Sequence, residues 1–286
     1  MKKTTTLKAA LVIFTLTALV VLPPVAEAVP IVSATAEATL GSDSPISDSD
    51  SGATAASASV VEPGNDPEYA GRGASDSTGR LAASANFFGA SGTFATISAG
   101  ATWTDTFEGI AGTQALFDFF IPGAGIGFSA NNVPGLSGEF MVEILFNGIS
   151  VFNSYTSVET DSNFPSMEGD FILTQEDTIL TADFAMDING FGAGYQFNPF
   201  SGSLDLTAID GTNTITYSMF ATVDGLIGET SAISSIGDPL NLSSQTGGVT
   251  LTVGGSPAPV PEPATMLLVG AGLIGIAGAR RKLKAA

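Results

Sequence analysis

The chain contains no cysteine and no histidine. Without thiolate or imidazole groups it cannot form a structural zinc site of the usual type, a cysteine nucleophile or a Ser-His-Asp triad. Disulfides are excluded too, so a folded body must be stabilised by its core, and roughly 200 residues are enough to bury one. The single tryptophan, Trp103, is expected to lie in that core rather than to form a sugar-stacking platform.

Cations are scarce between the two ends of the chain. Seven of the nine Lys and Arg residues lie near the termini, so residues 29–263 keep only Arg72 and Arg80. The same span holds 27 of the 28 carboxylates, which gives it a formal charge of −25. Because phosphate contact requires clustered Lys or Arg, we expect no nucleic acid and no anionic lipid as partner of this span. Cations, neutral or basic glycans and other proteins remain open as partners.

Residues 1–28 have the three parts of a secretory signal peptide. Three lysines in the first eight residues precede an apolar stretch over 9–22, and Ala26 and Ala28 provide the small side chains of a cleavage site. We therefore expect export by Sec-type machinery and cleavage after Ala28. A retained N-terminal membrane anchor is the alternative.

Residues 29–80 are dominated by Ser, Ala, Thr, Gly and Asp, with no aromatic residue before Tyr69. Such a composition buries little apolar surface, so the segment is predicted to be mostly disordered. The alternation of Ser with Asp43, Asp48 and Asp50 would suit loose calcium binding or O-linked sugar on the hydroxyls. A solvated spacer is the simpler interpretation.

Residues 81–255 consist of short apolar runs separated by turn signals, and no stretch of ten residues has a helical period. Alternating apolar residues over 140–146, followed by Asn147-Gly148, predict a β-hairpin with a type I′ turn. A second hairpin is predicted over 204–220 around Asp210-Gly211. Further strands are predicted at 93–97, 101–107, 113–121, 171–174, 178–186 and 249–253. The span is predicted to form one all-β domain, an antiparallel β-sandwich that is jelly-roll-like.

Nothing in this span indicates catalysis. Glycoside hydrolysis needs two carboxylates around a cleft, but acids are so abundant here that their presence selects no pair. We expect no enzyme, no catalytic residue and no bound cofactor. Ca²⁺ stays open as a ligand because it would relieve repulsion between the acids. Asp205, Asp210 and Asn213 surround one turn, but their spacing matches no defined calcium loop, so no residue is assigned to a metal site.

The end of the chain combines an apolar run with a basic cluster. Residues 264–279 carry no charge and would form a helix of about 24 Å, slightly short for a bilayer. Pro261 and Pro263 prevent the helix from beginning earlier. The cations that follow the run favour a cytoplasmic end by the positive-inside rule, and they are Arg280, Arg281, Lys282 and Lys284. A C-terminal transmembrane helix is predicted.

Pro261-Glu262-Pro263, the glycine-rich apolar run and the terminal basic cluster occur in the order of a known signal. Residues 256–286 resemble the PEP-CTERM sorting signal of exported proteins in Gram-negative bacteria. The resemblance implies recognition in the inner membrane by an exosortase, an integral-membrane cysteine peptidase, and cleavage near Pro-Glu-Pro. A plain membrane anchor is the alternative that the physics of the tail leaves open.

These patterns predict an exported, exosortase-processed protein of the cell surface or extracellular matrix. The resemblance implies bacteria that build exopolysaccharide matrices, so a structural or adhesive, biofilm-associated role is expected, with exopolysaccharide or other surface proteins as partners. A calcium-dependent glycan-binding module is the competing function. A polysaccharide hydrolase is a third.

Overall fold

The computed structural model describes residues 29–61, 69–89, 93–130, 135–161, 171–176, 180–186, 188, 192–227 and 230–254. The predicted signal peptide, with Ala26 and Ala28, lies outside these residues. So do the Pro-Glu-Pro motif, the apolar run and the basic cluster of the tail.

The described chain is almost entirely β-structure, with one 3₁₀ turn at Leu242–Ser244. Its strands are β1 (Ile31–Leu40), β2 (Ile46–Gly52), β3 (Ala55–Val61), β4 (Tyr69–Asp76), β5 (Leu81–Gly89), β6 (Thr93–Gly109), β7 (Gln114–Ile121), β8 (Ala124–Ala130), β9 (Ser137–Phe146), β10 (Ile149–Thr160), β11 (Phe171–Glu176), β12 (Ala182–Ala185), β13 (Ala193–Phe197), β14 (Phe200–Thr207), β15 (Gly211–Ile227), β16 (Thr230–Ile236) and β17 (Thr250–Val253). The prediction of an all-β fold is confirmed.

The strands form three antiparallel sheets. Sheet A has the order β11-β10-β9-β15-β6-β1-β2, sheet B the order β12-β13-β8-β16-β5-β4-β3, and sheet C the order β14-β7-β17. Sheets A and B pack against each other, with β15 contacting β5 and β6 contacting β4. This arrangement is sandwich-like, as predicted, while jelly-roll connectivity stays a prediction.

One large apolar cluster fills the space between the sheets, and it includes side chains from all three. Trp103 of β6 is 4% exposed, and its ring stacks on Phe117 of β7 with centroids 6.0 Å apart. Its indole Nε1 donates a hydrogen bond to the Ser77 carbonyl at 3.3 Å. The prediction that Trp103 is a core residue is confirmed.

The prediction that residues 29–80 are disordered is wrong for the described part of that segment, because β1 to β4 extend both large sheets. Their small residues let the two backbones come very close. A Cβ atom built on Gly73 would lie 2.1 Å from the Gly100 carbonyl oxygen of the opposite sheet. Alternate alanines such as Ala34 and Ala36 are buried in this narrow space. Within the described residues the sandwich therefore begins at Ile31, and the side chains of β1 and β3 that are buried in it include no aromatic residue.

The hairpin predicted at Asn147-Gly148 is confirmed. Asn147 has a φ of 52° and Gly148 a φ of 77°, which is the left-handed pair that a type I′ turn requires. β9 and β10 leave this turn in antiparallel register, with Phe146 opposite Ile149.

The hairpin predicted around Asp210-Gly211 is wrong. β14 pairs with β7 in sheet C, whereas β15 pairs with β6 and β9 in the centre of sheet A. Gly211, with a φ of 89°, begins β15 after the chain has crossed between sheets. β15 pairs along its length with β6, which is itself one continuous strand rather than the two that were predicted. Pairing on both sides gives β15 more partners than a hairpin with β14 would.

Candidate ligand-binding cleft and sorting signal

The Ser-Asp repeat lies on β2, the edge strand of sheet A. The Oδ2 atom of Asp48 accepts a hydrogen bond from the Ser59 backbone N–H at 2.8 Å, and Oδ2 of Asp50 accepts one from the Ser57 N–H at 3.0 Å. Both donors belong to β3, the edge strand of sheet B. These two carboxylates therefore join the sheets instead of converging on a cation.

The turn considered for calcium is organised by Asn213, whose side chain is buried. Its Oδ1 accepts hydrogen bonds from the Ile209 N–H at 2.9 Å and from Asn147 Nδ2 at 3.1 Å. Asp210 accepts a bond from the Ala111 N–H, and Asp205 lies on β14. Over the described ranges, no group of three or more acidic side chains is placed to hold a metal ion.

Arg80, one of the two cations of residues 29–263, forms its contacts at the turn between β4 and β5. It forms an ion pair with Asp76 at 2.7 Å and donates from Nη1 to the Ser243 carbonyl at 3.0 Å. Partial burial alone would raise the pKa of Asp76, but hydrogen bonds from Thr78 and Arg80 together lower it below 3.8. Arg80 thus has a structural role.

An open groove of about 790 Å³ lies on sheet C. Its surface includes the glycine backbone at Gly202 and Gly247 and the ring of Phe120. The hydroxyl of Ser203 donates to Oδ1 of Asp118, which supplies the only carboxylate among the described residues that line it.

A second feature, which we call the cross-strand row, runs across the whole of sheet B. Its members lie opposite one another in consecutive strands, all on the face turned away from sheet A. Each is polar or glycine, and from β12 to β3 they are Asp183, Gln196, Gly125, Ser235, Ser84, Arg72 and Ser59.

The middle of the row is the floor of a cleft of about 530 Å³, which we call the cross-strand cleft. On one side stands Ile188, which is packed so closely on Gly127 that a Cβ there would lie 2.5 Å from its own Cβ. On the other side lie Asp238, Pro239 and Leu240, of which Leu240 is 77% exposed. The cleft therefore runs across the strands.

The polar side chains of this floor have no hydrogen-bond partner among the described residues. Arg72 is half-buried, and within the described part of the chain no group accepts a hydrogen bond from its guanidinium. The amide of Gln196 and the hydroxyls of Ser84 and Ser235 make no hydrogen bond with these residues either. Arg72 differs in this from Arg80. The sequence analysis missed the site because its residues come from five strands, and only the scarcity of cations singled out Arg72.

Among the described residues, the titratable groups with shifted pKa values lie outside this cleft. Burial raises the pKa of Asp105 above 3.8 despite a hydrogen bond from the Thr106 N–H. Burial also raises the pKa of Tyr217 well above 10.0, and its hydroxyl donates to the Phe120 carbonyl at 2.8 Å. Burial, followed by its hydrogen bond to Glu139, raises the pKa of Tyr155.

Residues 259–282 match the family model of the PEP-CTERM protein-sorting motif. The chain carries a PEP-CTERM sorting signal. The resemblance based on Pro261, Glu262 and Pro263 is thereby confirmed, and the PEP-CTERM motif implies an exported precursor that is anchored in the membrane and processed by an exosortase. A search of curated proteins found no match to the chain.

The last described strand lies close in sequence to the PEP-CTERM motif. β17 is an edge strand of sheet C, and the Gly254 N–H after it donates to the Gln114 carbonyl at 2.8 Å. The matched region begins five residues later. No helix in the part of the chain described, which stops at residue 254, is long and apolar enough to cross a membrane. The helix predicted at 264–279 lies outside that part.

Proposed function

We propose that the mature protein is a structural or adhesive component of the cell surface or extracellular matrix, in a biofilm that contains exopolysaccharide. The observation that carries this proposal is the PEP-CTERM motif directly after an all-β body. Residues 29–263 have a formal charge of −25 and no cysteine, so the body is stable after export without any disulfide.

The role that we propose is non-catalytic and needs no cofactor. The described lining of each of the two grooves includes one carboxylate, Asp118 in the first and Asp238 in the second. Acid–base hydrolysis of a glycoside requires two facing carboxyl groups. The grooves are thus better suited to binding than to hydrolysis.

A second candidate, a glycan-binding module, is favoured by the cross-strand cleft. Calcium dependence of such binding is supported only by charge, because a divalent cation would reduce repulsion among the acids. Addition of a chelator tests this calcium dependence. An unchanged midpoint of thermal unfolding and unchanged glycan retention would contradict a role for Ca²⁺.

Mass spectrometry of terminal peptides tests delivery. We expect the protein recovered from the cell surface and medium to begin at Val29 and to end between Pro261 and Ala264. Replacing Pro261-Glu262-Pro263 with alanines should leave the tail intact and the protein in the inner membrane. Pro257→Ala, just outside the matched region, is the control and should be processed normally.

The matrix role is tested separately, by comparing cells that make the wild-type protein, the unprocessed variant or none. We expect cohesion of cell aggregates and retention of the protein in the matrix to require processing. An exported protein that keeps its tail to Ala286 would contradict processing. Normal cohesion without the protein would contradict the structural role.

A further inference from the structure

The cross-strand cleft presents an unusual supply of hydrogen-bonding groups. Arg72 offers five N–H donors and no acceptor, Gln196 offers both kinds, and Ser84 and Ser235 each offer a hydroxyl that donates and accepts. None of these groups is used by another described residue. A ligand for this floor must therefore carry both donors and acceptors at short intervals.

The spacing of these groups suits an extended ligand. Neighbouring strands lie about 4.8 Å apart, so the floor from Arg72 on β4 to Gln196 on β13 is about 19 Å long. Gly125, at the middle, has no side chain to interrupt it. Ile188 and the residues at 238–240 flank it on its two long sides. A linear chain fits this shape better than a compact molecule does.

Charge restricts the ligand further. The body has only two cations against 27 carboxylates over residues 29–263. Near the floor, the single charge of Arg72 is opposed by Asp238 on one wall and by Asp183 at the end of the row. A polyanion would be repelled, whereas an uncharged ligand would not.

We propose that the cross-strand cleft binds an uncharged, unbranched polysaccharide that lies across strands β4, β5, β16, β8 and β13. Sugar hydroxyls supply both donors and acceptors at each unit of such a chain. Arg72 and the serines donate to hydroxyl and ring oxygens, and Asp238 accepts from hydroxyls. This inference names a ligand for the adhesive role proposed above and takes its biological setting from that proposal.

Isothermal titration of the processed protein with neutral linear hexasaccharides is the direct test. The probes are the hexamers of β-1,4-glucan, β-1,4-mannan, β-1,4-xylan and chitin, with hexagalacturonate as the anionic comparison. We expect at least one neutral hexamer to bind, hexagalacturonate to bind at least tenfold more weakly, and the affinity for the neutral hexamer to be independent of salt.

Substitutions locate the binding to the cleft. Arg72→Gln should raise the Kd for the neutral hexamer about tenfold, since it removes hydrogen bonds from a charged donor. Arg72→Lys should weaken binding to a similar degree, because it keeps the charge and loses the planar fork. Gln196→Ala should raise the Kd several-fold. Gln114→Ala, the same change on β7 of sheet C, is the matched control and should bind like wild type.

Three results would overturn the inference: no neutral hexamer bound, variants at Arg72 and Gln196 that bind like wild type, or Arg72→Lys retaining full affinity while hexagalacturonate binds best. The last result would identify an attraction by charge. Thermal unfolding of each variant shows that it is folded. None of these outcomes bears on processing or matrix retention. Absence of polysaccharide binding in the cleft can therefore be distinguished from absence of the matrix role.

Discussion

Asp48 and Ser59 connect the edges of the two large sheets, because Oδ2 of Asp48 accepts a hydrogen bond from the Ser59 backbone N–H at 2.8 Å. Asp50 does the same for Ser57 two residues away. An open edge strand presents unpaired N–H groups that another chain can use. The acidic repeat of β2 occupies those groups on β3 and surrounds them with negative charge.

Removing both carboxylates should destabilise the body and expose this edge. For Asp48→Ala with Asp50→Ala, we expect Tm to fall by about 2–4 °C for each bond lost and self-association to appear as concentration rises. Light scattering coupled to size exclusion measures the second effect. Asp43→Ala, which removes one negative charge from the turn before β2 and no bond to β3, should remain monomeric. Equal behaviour of the two variants would show that charge alone, and not the edge contact, prevents association.

Close approach of the sheets at Gly73 gives a second prediction. A Cβ at this position would meet the Gly100 carbonyl oxygen at 2.1 Å and the Thr35 carbonyl oxygen at 2.9 Å, and both belong to backbone that cannot move aside. Gly73→Ala should therefore reduce the free energy of unfolding by about 3 kcal/mol or more, as measured by urea denaturation.

Gly123→Ala is the control for that substitution. Gly123 is exposed, and a Cβ there would meet its nearest neighbour, the Phe197 carbonyl oxygen, at 3.5 Å. We expect Gly123→Ala to change the free energy of unfolding by less than about 1 kcal/mol. If Gly73→Ala were as mild as this control, the tight packing that explains the alanine- and glycine-rich strands would be wrong.

The same contact explains why the sequence analysis failed over residues 29–80. Whether a segment can fold was judged from the apolar side chains that it contains, and this one has few. The segment packs because Gly73 has no side chain and lies directly against the Gly100 backbone carbonyl of the opposite sheet. That contact depends on a register between distant strands. Local signals were more reliable: period-two alternation and Asn147-Gly148 predicted β9, its turn and β10.

Asn147 serves the turn in two ways, through its backbone and through its side chain. Its φ of 52° is unfavourable for most residues. Its Oδ1 accepts a hydrogen bond from the Thr214 N–H at 2.8 Å, and its Nδ2 donates to Asn213. Asn147→Ala should reduce the free energy of unfolding by about 3 kcal/mol, because it strains the backbone and leaves the Thr214 N–H unpaired.

Asn147→Gly separates the two contributions, since glycine adopts a positive φ freely but offers no side-chain partner. We expect Asn147→Gly to reduce the free energy of unfolding by about 1 kcal/mol, as measured by urea denaturation. Equal losses for both variants would mean that backbone strain contributes nothing here.

The cleft could not be predicted for a related reason. Its floor combines one residue from each of β4, β5, β16, β8 and β13, and no two of them are neighbours in the sequence. Arg72 was visible as a rare cation, but that it has no partner among the described residues could be recognised only once Asp76 was seen to pair with Arg80. The sorting motif, by contrast, is contiguous, so the sequence was sufficient for it.

Acid stability of the body should depend on Asp76. Hydrogen bonds from Thr78 and Arg80 outweigh partial burial and hold its pKa below 3.8, so folding favours the ionised form. Its contribution to stability is complete above that value and is lost as the pH falls through the lowered pKa. Asp76→Asn should therefore be less stable than wild type at pH 7. The difference in Tm should narrow as the pH is reduced from 4 to 2.

Arg80→Lys tests the source of this effect. Lysine keeps the positive charge but cannot reproduce the paired contacts of the guanidinium with Asp76 and the Ser243 carbonyl. At pH 7 we expect the Tm of Arg80→Lys to lie between those of wild type and Asp76→Asn. At low pH, where the Asp76 carboxyl is protonated, the Tm of Arg80→Lys should approach that of Asp76→Asn. A gap between wild type and Asp76→Asn that stays constant from pH 7 to pH 2 would contradict the lowered pKa.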